Sequence, residues 1–299
     1  MTIASIIHFC TNDFRFLRKN VEEAKKISQK IVIPVCDHFF NGQPENRLLL
    51  DWIYREFSDC LFIEFAYDPI HLYSAFHSSY TSEHREWSRF WHSTSRLVGA
   101  LFAPPDVDYL LFLDGDEILD GNRMKQWLDT KEYCLYTGVR FRCYFYSRPD
   151  RRSREIFDSA LLVRQKELDY SNMIDSEERA GWYRGLAEPK KKDQLDCKGE
   201  PFLHHYCWVR TKEECLKKSV TWGHRLDKNW GPPIERLFQE KDPLEPMDLP
   251  LSFYDVEPFF DPLQVALPEI ESKSASFPPN VLKVGKEEAF QQIFKSLLR

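Results

Sequence analysis

Several features are missing from this 299-residue chain, and each absence narrows what it can be. No apolar run approaches the roughly 18–20 residues that a membrane-spanning helix needs. The N-terminus has no basic region, and the apolar stretch from Ile3 to Cys10 is too short and too interrupted for a signal peptide. The expected setting is therefore a reducing cytoplasm, where the eight cysteines are free thiols. They include no Cys-x-x-Cys pair. The nearest zinc-like set (Cys197, His204, His205, Cys207 and Cys215) has no finger spacing, which argues against structural zinc. Positive charge is not in excess: 41 Lys and Arg stand against 47 Asp and Glu, a net of −6, so no nucleic-acid partner is expected. There is no internal repeat. What the chain does have is 42% hydrophobic and 15% aromatic residues, enough for a sizeable ordered core.

The first 65 residues alternate in type. Ser5 to Cys10 reads as a strand. Asn12 or Asp13 is placed to cap a helix carrying Phe14, Leu17, Val21, Ala24 and Ile27 at helical spacing. Lys30 to Cys36 is a second strand, a helix through Leu48, Trp52 and Tyr54 follows, and Cys60 to Phe65 is a third strand. Short connections of this kind imply right-handed parallel crossovers in one sheet. The strand ends then place Asn12 and Asp13, Asp37 and His38, and Asp68 along one edge. A long aromatic loop, Tyr67 to Ser82, carries His71, Tyr73, His77 and Tyr80 and is a functional candidate by its length. A helix from Glu83 to Phe102 follows, with Arg85, Arg89 and Arg96 off its apolar stripe, and Pro104-Pro105 closes it.

Next comes Tyr109-Leu-Leu-Phe-Leu-Asp-Gly-Asp-Glu117, a buried-type strand that ends in Asp114, Asp116 and Glu117. In an open α/β sheet the mouth of a central strand is where ligands bind. Clustered carboxylates there need a positive partner, and a divalent cation holding a phosphorylated ligand would supply it. A solvated acidic turn and a helix start at Glu117 are the plainer readings. Gly121 to Leu128 is a short helix, and Tyr133 to Tyr146 is a strand or hairpin pair. It runs into Ser147-Arg-Pro-Asp-Arg-Arg-Ser-Arg154, read as a solvated loop or as a loop folding over a diphosphate. Ala160 to Val163 is another strand. Residues 171–200 look polar and irregular. Phe202 to Val209 reads as a strand, with His205 and Cys207 on one face. Thr211-Lys-Glu-Glu214 is a capping box opening a helix to about Trp222. Ten of the 18 prolines lie between Gly231 and Pro279, which suggests an extended arm, and the last residues form a basic amphipathic helix. Two carboxylates and His205 suit Mn2+ or Mg2+ when ligand phosphates complete an octahedron.

Two blocks of residues resemble a family. Arg96, Gly99 and Ala100 with Asp114-Gly-Asp-Glu117 form the first. Leu203-His-His-Tyr-Cys-Trp208, Thr211-Lys-Glu-Glu214, Lys217 and Trp222-Gly-His224 form the second. Over roughly residues 3–225 they resemble family-2-type glycosyltransferases of GT-A fold, in the branch that includes lipopolysaccharide core glycosyltransferases. The resemblance implies an α/β fold with a mixed, mainly parallel sheet flanked by helices. It implies one GT-A-like domain over 1–230, with 231–299 as a proline-rich arm and terminal helix packing on it. It also implies metal-dependent, inverting transfer of a sugar from a nucleotide sugar, by family habit a UDP-sugar, to an acceptor hydroxyl of a saccharide or glycolipid.

In the roles so implied, Asp116 and His205 ligate Mn2+ or Mg2+, and Asp114 shares the metal or contacts ribose. Asn12 and Asp37 sit at the nucleotide, and Arg96 lies beside the diphosphate. One carboxylate deprotonates the acceptor. Glu188 matches the family's glutamate best, with Asp175 and Glu178 as alternatives. The chain departs from the family at Cys36-Asp-His-Phe-Phe40, where Asp-Asn-Ser is common and only Asp37 carries over. The arginine run and the basic terminal helix point to an anionic, lipid-linked acceptor and a peripheral contact at the inner face of the membrane. The competing activities are a haloacid-dehalogenase-like phosphohydrolase with Asp114 as nucleophile, and a nucleotide-sugar-binding protein without turnover.

Overall fold

The computed structural model describes residues 2–67, 84–175, 178–239, 251–270, 278–285, 287, 288 and 291, with the side chains of 84–87, 174 and 175 excepted. Asp68, the loop candidates from His71 to Tyr80 and the terminal basic helix lie outside the described residues.

Four apolar strands build the first half of the sheet: β1 (Ile3–His8), β2 (Lys30–Cys36), β3 (Leu61–Phe65) and β4 (Tyr109–Asp114). They are parallel, in the order β3-β2-β1-β4, and nearly every residue in them is buried. Burial on both faces explains why these segments read as continuous apolar runs. Helices α1 (Phe14–Lys25) and α2 (Arg47–Glu56) make the crossovers on one face, where Leu17, Val21, Ala24 and Ile53 join the core. Helix α3 (His84–Leu101) covers the other face with Trp91, Leu97 and Val98.

The second half is antiparallel around a long hairpin. Strand β7 (Arg151–Arg164) pairs with β4 and with β6 (Gly138–Arg148). Beyond β6 lie β9 (Leu203–His205), parallel to it, and β5 (Glu117–Leu119), antiparallel to β9. Strand β8 (Lys191–Gln194) also pairs with β6. Helix α4 (Gly121–Asp129) packs Trp127 and Met124 beside Phe141 and Phe202. The fold is thus α/β, a mixed sheet with helices on both faces.

Three parts of this half differ from the sequence reading. Residues 171–200 hold α5 (Tyr170–Asp175), α6 (Arg179–Gly185) and β8, and they bury Met173 and Trp182. The strand expected over Phe202 to Val209 stops at His205, because the chain turns after it; Val209 N donates to Tyr206 O. The arginine run is strand as well as loop: Arg148 ends β6, Pro149 and Asp150 form the turn, and Arg151 to Arg154 begin β7, which pairs with β10 (Phe253–Asp255). Arg151 pairs with Asp255 at 3.0 Å, and the Arg152 guanidinium lies between the Tyr144 and Tyr254 rings.

The capping box is present at the start of α7 (Lys212–Thr221), and α8 (Gly231–Gln239) packs Ile234 and Leu237 near Trp208 and Trp230. The described parts beyond residue 230 therefore add a helix and two strands, β10 and β11 (Val281–Val284), the latter on the free edge of β3. Among the described residues, no helix is long and apolar enough to cross a membrane.

The register depends on a close approach of α3 to β1 and β2. A Cβ on Gly99 would stand 2.5 Å from Ile6 Cγ2 and 3.1 Å from Pro34 Cγ. A side chain there must push the helix off the sheet. Gly99→Leu is therefore expected to cost about 1–3 kcal/mol, measured as a lower urea midpoint; an unchanged midpoint would contradict this packing.

Candidate functional site

The acidic turn is held from three sides. Asn20 of α1, fully buried, donates from Nδ2 to the backbone oxygens of Asp114 and Gly115 at 3.0 and 3.1 Å. Gly115 is required by crowding: a Cβ would lie 2.8 Å from Cβ and 2.9 Å from Oδ2 of Asp13. Pairing of β5 with β9 sets Glu117 opposite His205, and Tyr206 N donates to Asp116 O at 2.9 Å. This register delivers His205 to Asp116 from 89 residues away. Pairing of β1 with β4 sets His8 beside Asp114.

Each carboxylate of the turn meets a buried cation. Asp114 Oδ1 accepts from Arg96 Nε and Nη2 at 3.1 and 2.6 Å, and its Oδ2 accepts from Arg179 Nη2 at 3.2 Å. Arg179 also grips Glu117 with both terminal nitrogens, at 2.6 and 2.7 Å. Asp116 Oδ2 accepts from Lys218 Nζ at 2.5 Å and Arg210 Nη2 at 2.9 Å. Arg210 continues to Asp13 Oδ1 at 2.5 Å. Asp13, expected as a cap, makes no capping bond and serves as this partner instead. Four carboxylates thus face four cations.

Burial pushes the Asp114 carboxyl upward, but Arg179 and Arg96 more than reverse this and hold it well below the ordinary range. Burial acts likewise on Asp116, and Lys218 with His205 overrides it. Burial disfavours charge on His205, yet Asp116 keeps that imidazole protonated well above its usual range.

A cavity of about 440 Å³ opens over this turn. Its wall includes Asn12, Asp114, Asp116, Glu178 and His205, five of the residues singled out from sequence. Asn12 Nδ2 donates to Thr221 Oγ1 at 2.8 Å. Arg96 is buried directly behind Asp114, although the helix pattern set it off the apolar stripe. Asp37 is not on the wall: its Oδ1 is bonded to Tyr67 N and His38 Nδ1, both at 2.7 Å, while its neighbours Cys36 and His38 do line the cavity. Glu188 is also off the wall, 72% exposed and 3.5 Å from Lys190 Nζ. The side chain of Asp175 lies outside the described residues.

Sequence reasoning missed Arg179, Arg210 and Lys218. It also missed Glu45, a buried wall residue whose carboxyl burial raises to about 7 despite hydrogen bonds from Thr11. The one available signal was that Arg179 directly follows Glu178, and Arg210 and Lys218 flank the capping box.

Three sets of side chains bring possible metal-ligand atoms within 4.8 Å of one another: His8, His92 and Asp114; His92, Glu178 and His224; and Asp116, His205 and Cys207. Asp114 and Asp116 therefore fall in different sets. In the first, both Asp114 oxygens already serve arginines. In the second, both His224 nitrogens face carboxylates, Nδ1 on Asp227 at 3.0 Å and Nε2 on Glu178 at 3.1 Å, which leaves no ring lone pair for an ion. The third fits best. Asp116 Oδ1 and His205 Nε2 stand 3.5 Å apart, a spacing that two ligands of one ion can adopt.

No family model and no curated protein matches the sequence. Solved structures do match in part. The catalytic domain of Drosophila beta1,4-galactosyltransferase 7 is 14% identical with a TM-score of 0.32, over 68% of this chain and 70% of that one. The glycosyltransferase GlyE of Streptococcus pneumoniae is 11% identical with a TM-score of 0.37, over 80% of this chain and 64% of that one. The bifunctional glycosyltransferase WbbM is 7% identical with a TM-score of 0.37, over 76% of this chain and 51% of that one. These likenesses are partial, and the functional reading rests on the site itself.

Because Arg179 compensates Glu117 in a buried setting, removing it strands a charge. Arg179→Met is expected to destabilise the fold by about 3–5 kcal/mol, read from denaturant unfolding. Adding Glu117→Gln to that variant is expected to restore a large part of the loss, giving a clear coupling in the double-mutant cycle. Strict additivity would contradict the pairing.

Proposed function

We propose that the protein is a glycosyltransferase that moves a sugar from a nucleotide sugar, a UDP-sugar by the family resemblance, to the hydroxyl of a saccharide or glycolipid acceptor. The observation that supports this most is the cavity floor, where Lys218 and His205 are fixed on Asp116 just past the end of β4. Such a floor suits a diphosphate, whose charge grows as the sugar leaves.

Asp116 and His205 would hold a divalent cation, Mn2+ or Mg2+, which supplies Lewis-acid charge to the leaving diphosphate. To serve as a ligand His205 would have to be neutral, so an ion there would compete with the proton that Asp116 favours on the ring. In this reading Asp114 does not share the ion; it holds Arg96 and Arg179 in place. Asn12, at the end of β1, is assigned to the nucleotide. So is Asp37, which would act from behind the wall through His38. Of the two base candidates whose side chains are described, Glu178 and Glu188, Glu178 is assigned the role because it is on the cavity wall and Glu188 is not. Inversion follows if Glu178 takes the acceptor proton on the face opposite the diphosphate.

A nucleophilic Asp114, as a phosphohydrolase would need, requires a free carboxylate oxygen, whereas arginines hold both.

The test is turnover of a UDP-sugar panel with Mn2+ or Mg2+, read as UDP release. Wild-type protein is expected to release UDP, and Asp116→Asn and Lys218→Met to lower kcat about 100-fold or more while keeping a cooperative thermal transition. Full turnover in either variant, or release of phosphate from simple phosphoesters in place of UDP, would overturn the reading.

A further inference from the structure

We propose that His224 is a positioning residue for the general base: backed by Asp227 and Arg89, it fixes one oxygen of Glu178 and keeps the carboxylate ionised for the acceptor proton. This rests on the assignment of Glu178 above.

A chain of contacts links Glu178 to α3 across separate elements. Arg89 Nη2, on α3, donates to both oxygens of Asp227 at 2.9 Å. Asp227 Oδ2 faces His224 Nδ1 at 3.0 Å, and His224 Nε2 faces Glu178 Oε1 at 3.1 Å. An imidazole between two carboxylates donates from both nitrogens only as the imidazolium. Burial works against that charge, and Glu178 with Asp227 overrides it, so His224 is held above its ordinary range. Burial likewise raises Glu178, and the bond from His224 together with the charge of Arg96 more than offsets this.

The ring has little freedom. Trp222 stands edge-on to it at 5.1 Å, and Trp230 Nε1 donates to the His224 backbone oxygen at 3.0 Å. This differs from a bare surface pair in that Asp227 and Glu178 each engage one ring nitrogen of His224.

Other charges face the pair from neighbouring elements. Arg96 favours the Glu178 carboxylate and Asp114 opposes it. His92 on α3 stands 5.9 Å from the His224 ring, and burial keeps it neutral. Arg140 on β6 adds positive charge at longer range. Arg179, next to Glu178 in sequence, is turned away onto Glu117.

In the transfer step the acceptor O–H bond breaks and its proton passes to Glu178 Oε2, the oxygen not bonded to His224. The acceptor oxygen forms the bond to the anomeric carbon. The bond from that carbon to the diphosphate oxygen breaks, and the electron pair leaves with the diphosphate. Glu178 then carries the proton as a neutral acid, still bonded to His224.

The sign of the effect is fixed by this arrangement. Glu178 works as a base only when ionised, so activity falls as pH drops through its pKa. Replacing His224 with a neutral side chain removes a positive charge and raises that pKa. For His224→Gln, which keeps a donor and loses the charge, the acid limb of the kcat/KM profile is expected to move up by about one pH unit. Asp227→Asn is expected to move it less, in the same direction. A rate that drops equally at every pH with the limb unmoved means a merely structural role and overturns the proposal.

A second measurement is independent of turnover. Protein labelled with 13C at glutamate side-chain carboxyls is titrated by NMR, and Glu178→Gln identifies the resonance. Glu178 is expected to titrate at higher pH in His224→Gln than in wild type. If it titrates at the same pH in both, the positioning role is wrong whatever the enzyme turns over. If the resonance moves but no nucleotide sugar is consumed, the positioning contact stands and the glycosyl-transfer reading fails.

Discussion

The neutralisation of four carboxylates at one strand mouth is the constraint on which the rest depends. Asp114, Asp116 and Glu117 leave β4 within four residues, and Asp13 comes up beside them. Buried without partners, such a group would hold protons or unfold the mouth. The chain meets this by sending Arg96, Arg179, Arg210 and Lys218 into the same volume from four different segments. Removing one cation leaves a charge stranded, so these contacts tie α3, α6, α7 and the turn after β9 to the sheet.

The same arrangement shapes what the cavity can hold. One side of the acidic turn, at Asp114, is locked onto arginines. The other, at Asp116, keeps one oxygen directed to His205 and presents Lys218 to the cavity. The polar equipment is therefore uneven, with cationic reach on the Asp116 side and a carboxylate base candidate, Glu178, with its histidine elsewhere on the wall. A reaction that separates an anionic leaving group from a hydroxyl proton suits that division. The reading of the site as a glycosyl-transfer centre rests on it.

Much of the fold was legible because parallel strands buried on both faces write themselves as apolar runs. Lys30 to Cys36 is a strand over just those residues, and the Thr211–Glu214 capping box opens a helix as its spacing implied. The acidic turn was legible for the same reason, as polar residues ending an apolar strand, while His205 was singled out inside its strand by the family resemblance. The cations were not. Arg179 meets Glu117 across 62 residues and Lys218 meets Asp116 across 102, and no local pattern encodes such a pairing. Residues 171–200 were unreadable because α5, α6 and β8 are only 6, 7 and 4 residues long, too short for a repeating apolar pattern to show. The arginine run was opaque in a different way: its charge left a solvated loop and a diphosphate loop both open, and it did not show the contacts that Arg151 and Arg152 make with Asp255 and Tyr254 of β10. Glu188 looked right by its match to the family's glutamate, but a position along the chain does not say which face a loop carboxylate occupies.

The central claim is that the cations gathered at Asp116 form a diphosphate site. The most direct measurement is calorimetric titration of UDP and of uridine into the wild-type protein and into Lys218→Met. The account predicts that wild type binds UDP, that uridine binds far more weakly, and that Lys218→Met loses most of the UDP affinity while remaining folded. Equal affinity for UDP and uridine, or undiminished UDP binding in the folded variant, would contradict it.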